Sequence, residues 1–255
     1  MNFKFIYIVK TTDPKWIMES IPTYISGTFL AIVAAAVGFI FYAVNFVASG
    51  RKNFTPTIIL TLFCVWIFIV SLLTINGFFQ DFSPPYRIFP FVGFTVVTIF
   101  ILFALKKTRA FLNKMPITTL TYIHIIRVPV EMVLLWLGIS GAVAMDMTFE
   151  GSNFDIISGI TAPFVGVFLI SGRSRNKIGA IIWNLGALAL LVNIVSRAIS
   201  YTPYFYESVV GGESANIAIF YFPFVLLPTL VVPIVLFSHL VSLNQLIFVK
   251  EPSQF

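Results

Sequence analysis

Charge is what this chain has least of. Only 10% of its 255 residues are charged, 58% are hydrophobic, and the mean hydropathy is +0.97. An ordinary soluble domain carries roughly 25% charged residues. A chain this poor in charge cannot cover a water-facing surface, which excludes a soluble globular enzyme, a disordered protein and a nucleic-acid-binding domain. Cysteine is nearly missing too. Cys64 stands alone in an apolar run, so neither an intramolecular disulfide nor a cysteine metal site can form. Histidine occurs only as His124 and His239. There is no GxSxG elbow, HExxH pair, P-loop or glycine-rich dinucleotide fingerprint, so the sequence carries no enzyme signature. No residue pattern recurs between the first three and last three apolar runs, so a repeat-built transporter is not supported.

What is present is long apolar segments, and they predict an all-α integral membrane protein. Seven runs, at about 22–48, 54–79, 87–105, 116–144, 154–171, 178–200 and 217–248, predict a seven-transmembrane helix bundle. Residues 1–21 form an N-terminal interfacial segment, 22–248 the membrane domain, and 249–255 a short tail. The opening MNFKFIYIVK has too short an apolar stretch for a signal-peptide core and no small-residue cleavage site, so it is expected to be retained. Pro22, Pro56 and Pro116 open runs, where a missing N–H costs nothing. Asn53, Asn153 and Asn216 precede runs and are candidate caps. The 29 Phe residues read as lipid-facing packing.

Basic residues alternate between loops. Arg51 and Lys52, then Lys106, Lys107, Arg109 and Lys114, then Arg173, Arg175 and Lys177, then Lys250 fall on one side. Asp81, Asp146, Glu150, Glu207 and Glu213 fall on the other. The positive-inside rule then places the C-terminus in the cytoplasm and the N-terminus outside, in a plasma (inner) membrane. Lys4, Lys10 and Lys15 in the outer tail run against this but are outnumbered.

Ionisable groups at membrane depth are costly and mark function or pairing. The fourth run, TYIHIIRVPVE, puts His124, Arg127 and Glu131 at i, i+3 and i+7, on one helical face. Arg127 and Glu131 are spaced to pair directly, and Pro129 between them is expected to kink the helix. Asn193, Arg197, Asp155 and Arg87 fall in the same outer half as Glu131. Together these residues define an expected polar cavity open to the outside, in which arginines would hold an anion. Taken singly, Arg87, Arg197 and Asp155 read more readily as interfacial anchors, and it is their shared depth that raises the cavity.

His124 and His239 both fall in the half nearer the basic loops, and two histidines on different helices can ligate a haem iron. A zinc site would need Glu131, about 10 Å from His124 along the helix, which is poor geometry. The run FYFPFVLLPTLVVPIVLF carries Pro223, Pro228 and Pro233 and is expected to bend. Gly159–Gly166 and Gly179–Gly186 are candidate small-residue seams.

The sequence thus favours a protein that binds or translocates a small anionic or amphipathic molecule, through Arg127, Glu131, Asn193, Arg197, His124, Asp155 and Arg87. The alternatives are a haem-binding or enzymatic membrane protein using His124 and His239, and a structural or assembly subunit with a membrane-protein partner. The bilayer itself is the one partner common to all three.

Overall fold

The computed structural model of the chain describes residues 14–48, 54–171, 176–205 and 215–249. Among these residues every regular element is helical and there is no strand. In chain order the helices are α1 (Pro14–Glu19), α2 (Thr23–Ala48), α3 (Thr55–Ile75), α4 (Ile88–Ala104), α5 (Lys106–Leu112), α6 (Ile117–Tyr122), α7 (Arg127–Ile139), α8 (Ile156–Phe164), α9 (Lys177–Ser200) and α10 (Val232–Phe248). One 3-10 segment, Ile123–Ile126, joins α6 to α7, and π-helical turns follow α8 (Val165–Ile170) and precede α10 (Leu227–Val231).

Five of the rods are long and apolar enough to cross a membrane: α2, α3, the α6–α7 rod, α9, and Leu227–Phe248. The third apolar run folds as α4 and α5, bent by 95° between them, and makes a sixth if the pair is one span. The fifth run, Ile156–Ile170, is shorter. An all-helical chain with five to six such rods is a multi-pass membrane protein.

Burial ranks the rods. The Leu227–Phe248 rod buries 67% of its apolar window and the α6–α7 rod 61%, whereas α3 buries only 11%. These two central rods are therefore the ones whose polar residues must find partners within the protein. The fourth run does turn its charged stripe inward, since His124, Arg127 and Glu131 are all buried.

Several run ends differ from the sequence reading. The second run stops at Ile75 because Gly77 adopts a φ of +77°, and the N–H of Phe78 returns to the carbonyl of Leu73 at 3.0 Å. The fourth run stops the same way at Gly141, φ +74°, with Ala142 N–H on the carbonyl of Leu137 at 2.9 Å. Both are Schellman endings, which need a residue free to enter the left-handed region. The seventh run becomes continuous helix only at Leu227. Residues 217–226 form a 3-10 turn and bends, pinned where the carbonyl of Ala142 accepts the N–H groups of Ile217 at 3.0 Å and Ala218 at 3.1 Å.

The prolines behave as their missing N–H requires. Pro56 lies in the first turn of α3 and Pro116 immediately precedes α6. Pro129 does not bend the α6–α7 rod sharply. The local response is the 3-10 turn before it, and the rod continues as one span. Pro233 cannot bond back to the carbonyl of Thr229, and the indole Nε1 of Trp66 donates to that oxygen instead, at 3.0 Å.

Asn153 and Asn216 are not helix caps. Asn216 donates to the carbonyl of Ala198 at 3.1 Å, and Asn153 belongs to the site below. The side-chain cap is Asn176, which accepts from Gly179 N–H at 2.8 Å. Asn53, Lys4, Lys10, Arg51, Lys52, Arg173, Arg175, Glu207, Glu213 and Lys250 lie outside the described residues.

Candidate functional site

Arg127 opens α7 with a side chain that is 2% exposed, and it does not pair with Glu131. The expected i,i+4 pair is replaced by a tertiary one: Nε donates to Asp155 Oδ2 at 2.6 Å and Nη2 to Asp155 Oδ1. A guanidinium fork matches a carboxylate held opposite it better than one on its own helix surface. The same Nη2 also reaches the carbonyl of Ala187 at 3.1 Å, and Nη1 reaches His239 Nε2 at 3.2 Å.

Asp155 reaches Arg127 because α8 lies against the α6–α7 rod with no gap. A Cβ on Gly159 would fall 2.7 Å from a Val128 methyl and 2.9 Å from its backbone nitrogen. A Cβ on Gly166 would overlap the Tyr122 ring. The Gly159–Gly166 seam is thus real, whereas the Cβ of Gly186 would meet nothing within 4 Å.

Arginine is a donor only, so its contact assigns the His239 tautomer. Nε2 holds the acceptor lone pair, and Nδ1 carries the proton, which it gives to Asn184 Oδ1 at 3.0 Å. Asn184 is fixed in turn, donating to the carbonyl of Ala180 at 2.9 Å. His239 is therefore a neutral imidazole with both nitrogens engaged. His124 stacks on it face to face, with ring centroids 3.8 Å apart and planes 19° from parallel, and Trp183 closes the edge. Neither nitrogen of His124 has a hydrogen-bond partner among the described residues.

The two histidines do meet, but the arrangement does not fit a haem iron. The lone pair of His239 faces Arg127, and the rings lie flat against each other rather than tip to tip across a macrocycle. Among the described residues no group of three or more His, Cys, Asp or Glu gathers as metal ligands.

Glu131 stands one turn beyond Arg127. Its Oε1 accepts from Asn153 Nδ2 at 2.6 Å, and Oε2 has no partner among the described residues. Asn153 is locked by donating to the carbonyl of Met147 at 3.0 Å and accepting from Asp155 N–H at 3.0 Å.

The remaining expected residues sit elsewhere. Arg87 is paired with Asp81, donates to the carbonyl of Phe78 at 3.2 Å and lies over the Phe78 ring. Arg197 is paired with Asp146, which also accepts from Tyr201 Oη at 3.2 Å, and Asn193 bridges Arg197 to the carbonyl of Ser152. These are loop anchors. Hydrogen bonds from the Ser83 side chain and backbone hold Asp81 below its ordinary carboxyl value. Burial opposes the charged form of Asp146, but Ser152, Arg197 and Tyr201 outweigh it and lower its value as well.

A cavity of about 130 Å³, partly open, lies between α4, α7, α9 and the approach to α10. Its wall is nearly all hydrocarbon, with Val92, Val130, Leu134, Leu191, Ile194 and Val231 among the lining residues. Among the described residues Arg127, Glu131 and Asp155 are the charged groups on it, and Arg87, Asn193 and Arg197 are not on it. The expected polar, arginine-lined cavity is thus an apolar one with a single ionic corner.

Sequence reasoning missed Asn184 and Trp183, and it read Asn153 as a cap rather than as the partner of Glu131. Asn184 had a readable signal: it is the one polar member of the buried stripe Ala180, Asn184, Ala187, Leu191 and Ile194, spaced four, three, four and three. Comparison with protein-family models, curated proteins and solved structures found no match.

Proposed function

We propose that this chain is a seven-span protein of the plasma (inner) membrane, with its N-terminus outside, that binds or translocates a small amphipathic molecule. The observation that carries the reading is the cavity: hydrocarbon on almost every side, with the Arg127–Glu131–Asp155 corner at one place on its wall. Such a site receives an apolar body by burial and orients it through one polar end. The seventh crossing is Ile156–Ile170, and the alternation of acidic and basic loops supports both its crossing and the orientation.

Ligand rather than mere packing is favoured because the cavity abuts charge. A purely structural ionic cluster is stabilised by close packing around it, whereas this one borders open volume. The test is photolabelling of the protein in vesicles with an eight-carbon alcohol bearing a diazirine, mapped by mass spectrometry. Adducts on Leu191, Ile194 or Val231 are expected. Adducts confined to outward residues of α3, such as Phe68, would overturn the reading.

The alternative of a subunit that meets a partner within the membrane draws support from α3, whose apolar side chains are mostly exposed. A stoichiometric partner co-purifying with the chain, together with an unlabelled cavity, would favour it.

A further inference from the structure

Resting on that reading, we propose that the polar end of the occupant is an amine, and that its ammonium docks at Glu131 Oε2. With Glu131 ionised, the cluster's charges do not balance. Arg127 is its one cation; Asp155 and Glu131 are two carboxylates, and His239 is held neutral by its hydrogen bonds. Arg127 is committed. It makes four bonds, to both oxygens of Asp155, to His239 and to the carbonyl of Ala187, out of five N–H groups. An anion entering the cavity would find a single N–H of Arg127 left over and would add negative charge beside two carboxyl groups.

Glu131 is the opposite case. It is 1% exposed and lines the cavity, and among the described residues Oε2 has no hydrogen-bond partner while Oε1 is held by Asn153. Arg127 from its own helix, Met147 from the connecting segment and Asp155 at the start of α8 line the same cavity, and Asn153 bonds its other oxygen. None of these gives Oε2 a proton. A buried carboxyl oxygen left without a hydrogen-bond donor is costly. A primary ammonium brings one positive charge and three donors, enough to satisfy Oε2 and restore neutrality. An alcohol brings a donor but no charge, and a carboxylate brings neither the right charge nor a donor.

The experiment is competition by octylamine, octanol and octanoate against the diazirine alcohol in vesicles at neutral pH, read as labelling of Leu191 and Ile194. Because amines concentrate in bilayers, labelling of α3 residues serves as the partition control. Octylamine is expected to displace the probe at a concentration at least about tenfold below octanol, and octanoate to compete worst. In Glu131→Gln the amine advantage disappears while octanol still competes. Equal potency of amine and alcohol in the wild type overturns the amine assignment and leaves the cavity reading standing. Octanoate competing best also overturns it, in favour of Arg127. No labelling of the cavity overturns both. If Glu131→Gln does not fold, the wild-type series alone decides.

Discussion

Trp66 on α3 donates its indole N–H to the carbonyl of Thr229, the oxygen that Pro233 has no N–H to reach. The bond ties an otherwise outward-facing helix to the most buried rod. Trp66→Phe keeps the ring and its stacking on Phe94 but strands that carbonyl. A loss of about 1 kcal/mol is expected, seen as a lower melting temperature in detergent. Adding Pro233→Ala supplies a backbone N–H within the helix, so the double variant should melt above Trp66→Phe alone. A double variant that melts no higher would break the argument.

Asp155→Ala leaves the Arg127 guanidinium buried without its carboxylate. Such a half-pair costs about 3–5 kcal/mol, whereas replacing both partners with apolar residues is near neutral. Arg127→Met combined with Asp155→Leu should therefore unfold later than Asp155→Ala in a urea or heat titration, despite carrying more changes.

The two stacked histidines should respond differently to the same substitution. His239→Phe strands Arg127 and Asn184 and is expected to cost about 2–4 kcal/mol, summing two unsatisfied partners. His124→Phe removes two unpartnered nitrogens and keeps an aromatic ring, so its stability should be unchanged or higher. Equal losses in both variants would show that His124 has a partner after all.

Gly159→Ala puts a methyl 2.7 Å from Val128 and is expected to cost about 1–3 kcal/mol. Gly186→Ala meets nothing within 4 Å and should gain up to about 1 kcal/mol from helix propensity. Melting curves of the pair test the seam directly.

Asp146 gives its contacts with Arg197 and Tyr201 an acid limit. Its folded value lies below the ordinary 3.8, so the stability it contributes is complete above that pH and is lost as pH falls through the lowered folded value. Melting temperature measured between pH 5 and pH 3 should fall less steeply in Asp146→Asn than in the wild type. Identical slopes would exclude Asp146 from the acid response.

The rods were readable because a long apolar run has one stable form in lipid, and Gly77 and Gly141 marked two stops for anyone weighing left-handed backbone. The inward face of Arg127 and Glu131 was readable from spacing. Their partners were not. Sequence spacing offers Arg127 a neighbour four residues away, while the partner it takes, Asp155, depends on how closely α8 approaches, and that is set by the absence of side-chain carbon at Gly159. The apolar character of the cavity was hidden for the same reason: the sequence reading put Arg87 and Arg197 at the depth of Glu131, but depth does not fix azimuth, and Arg87 pairs with Asp81 in its own loop while Arg197 pairs with Asp146 on the segment after α7. The last run misled by composition, since the stretch 217–226 is apolar enough for a helix but begins a proline series that delays it.

The nearly bare flank of α3 has a practical meaning. Hydrocarbon outside the protein is in effect the missing half of that helix's packing, so whatever surrounds the molecule after extraction takes over a structural job. Melting temperatures from different detergents will then describe different composite objects, and α3 will be the first rod to part company when the surrounding chains are too short or too mobile to follow its contour.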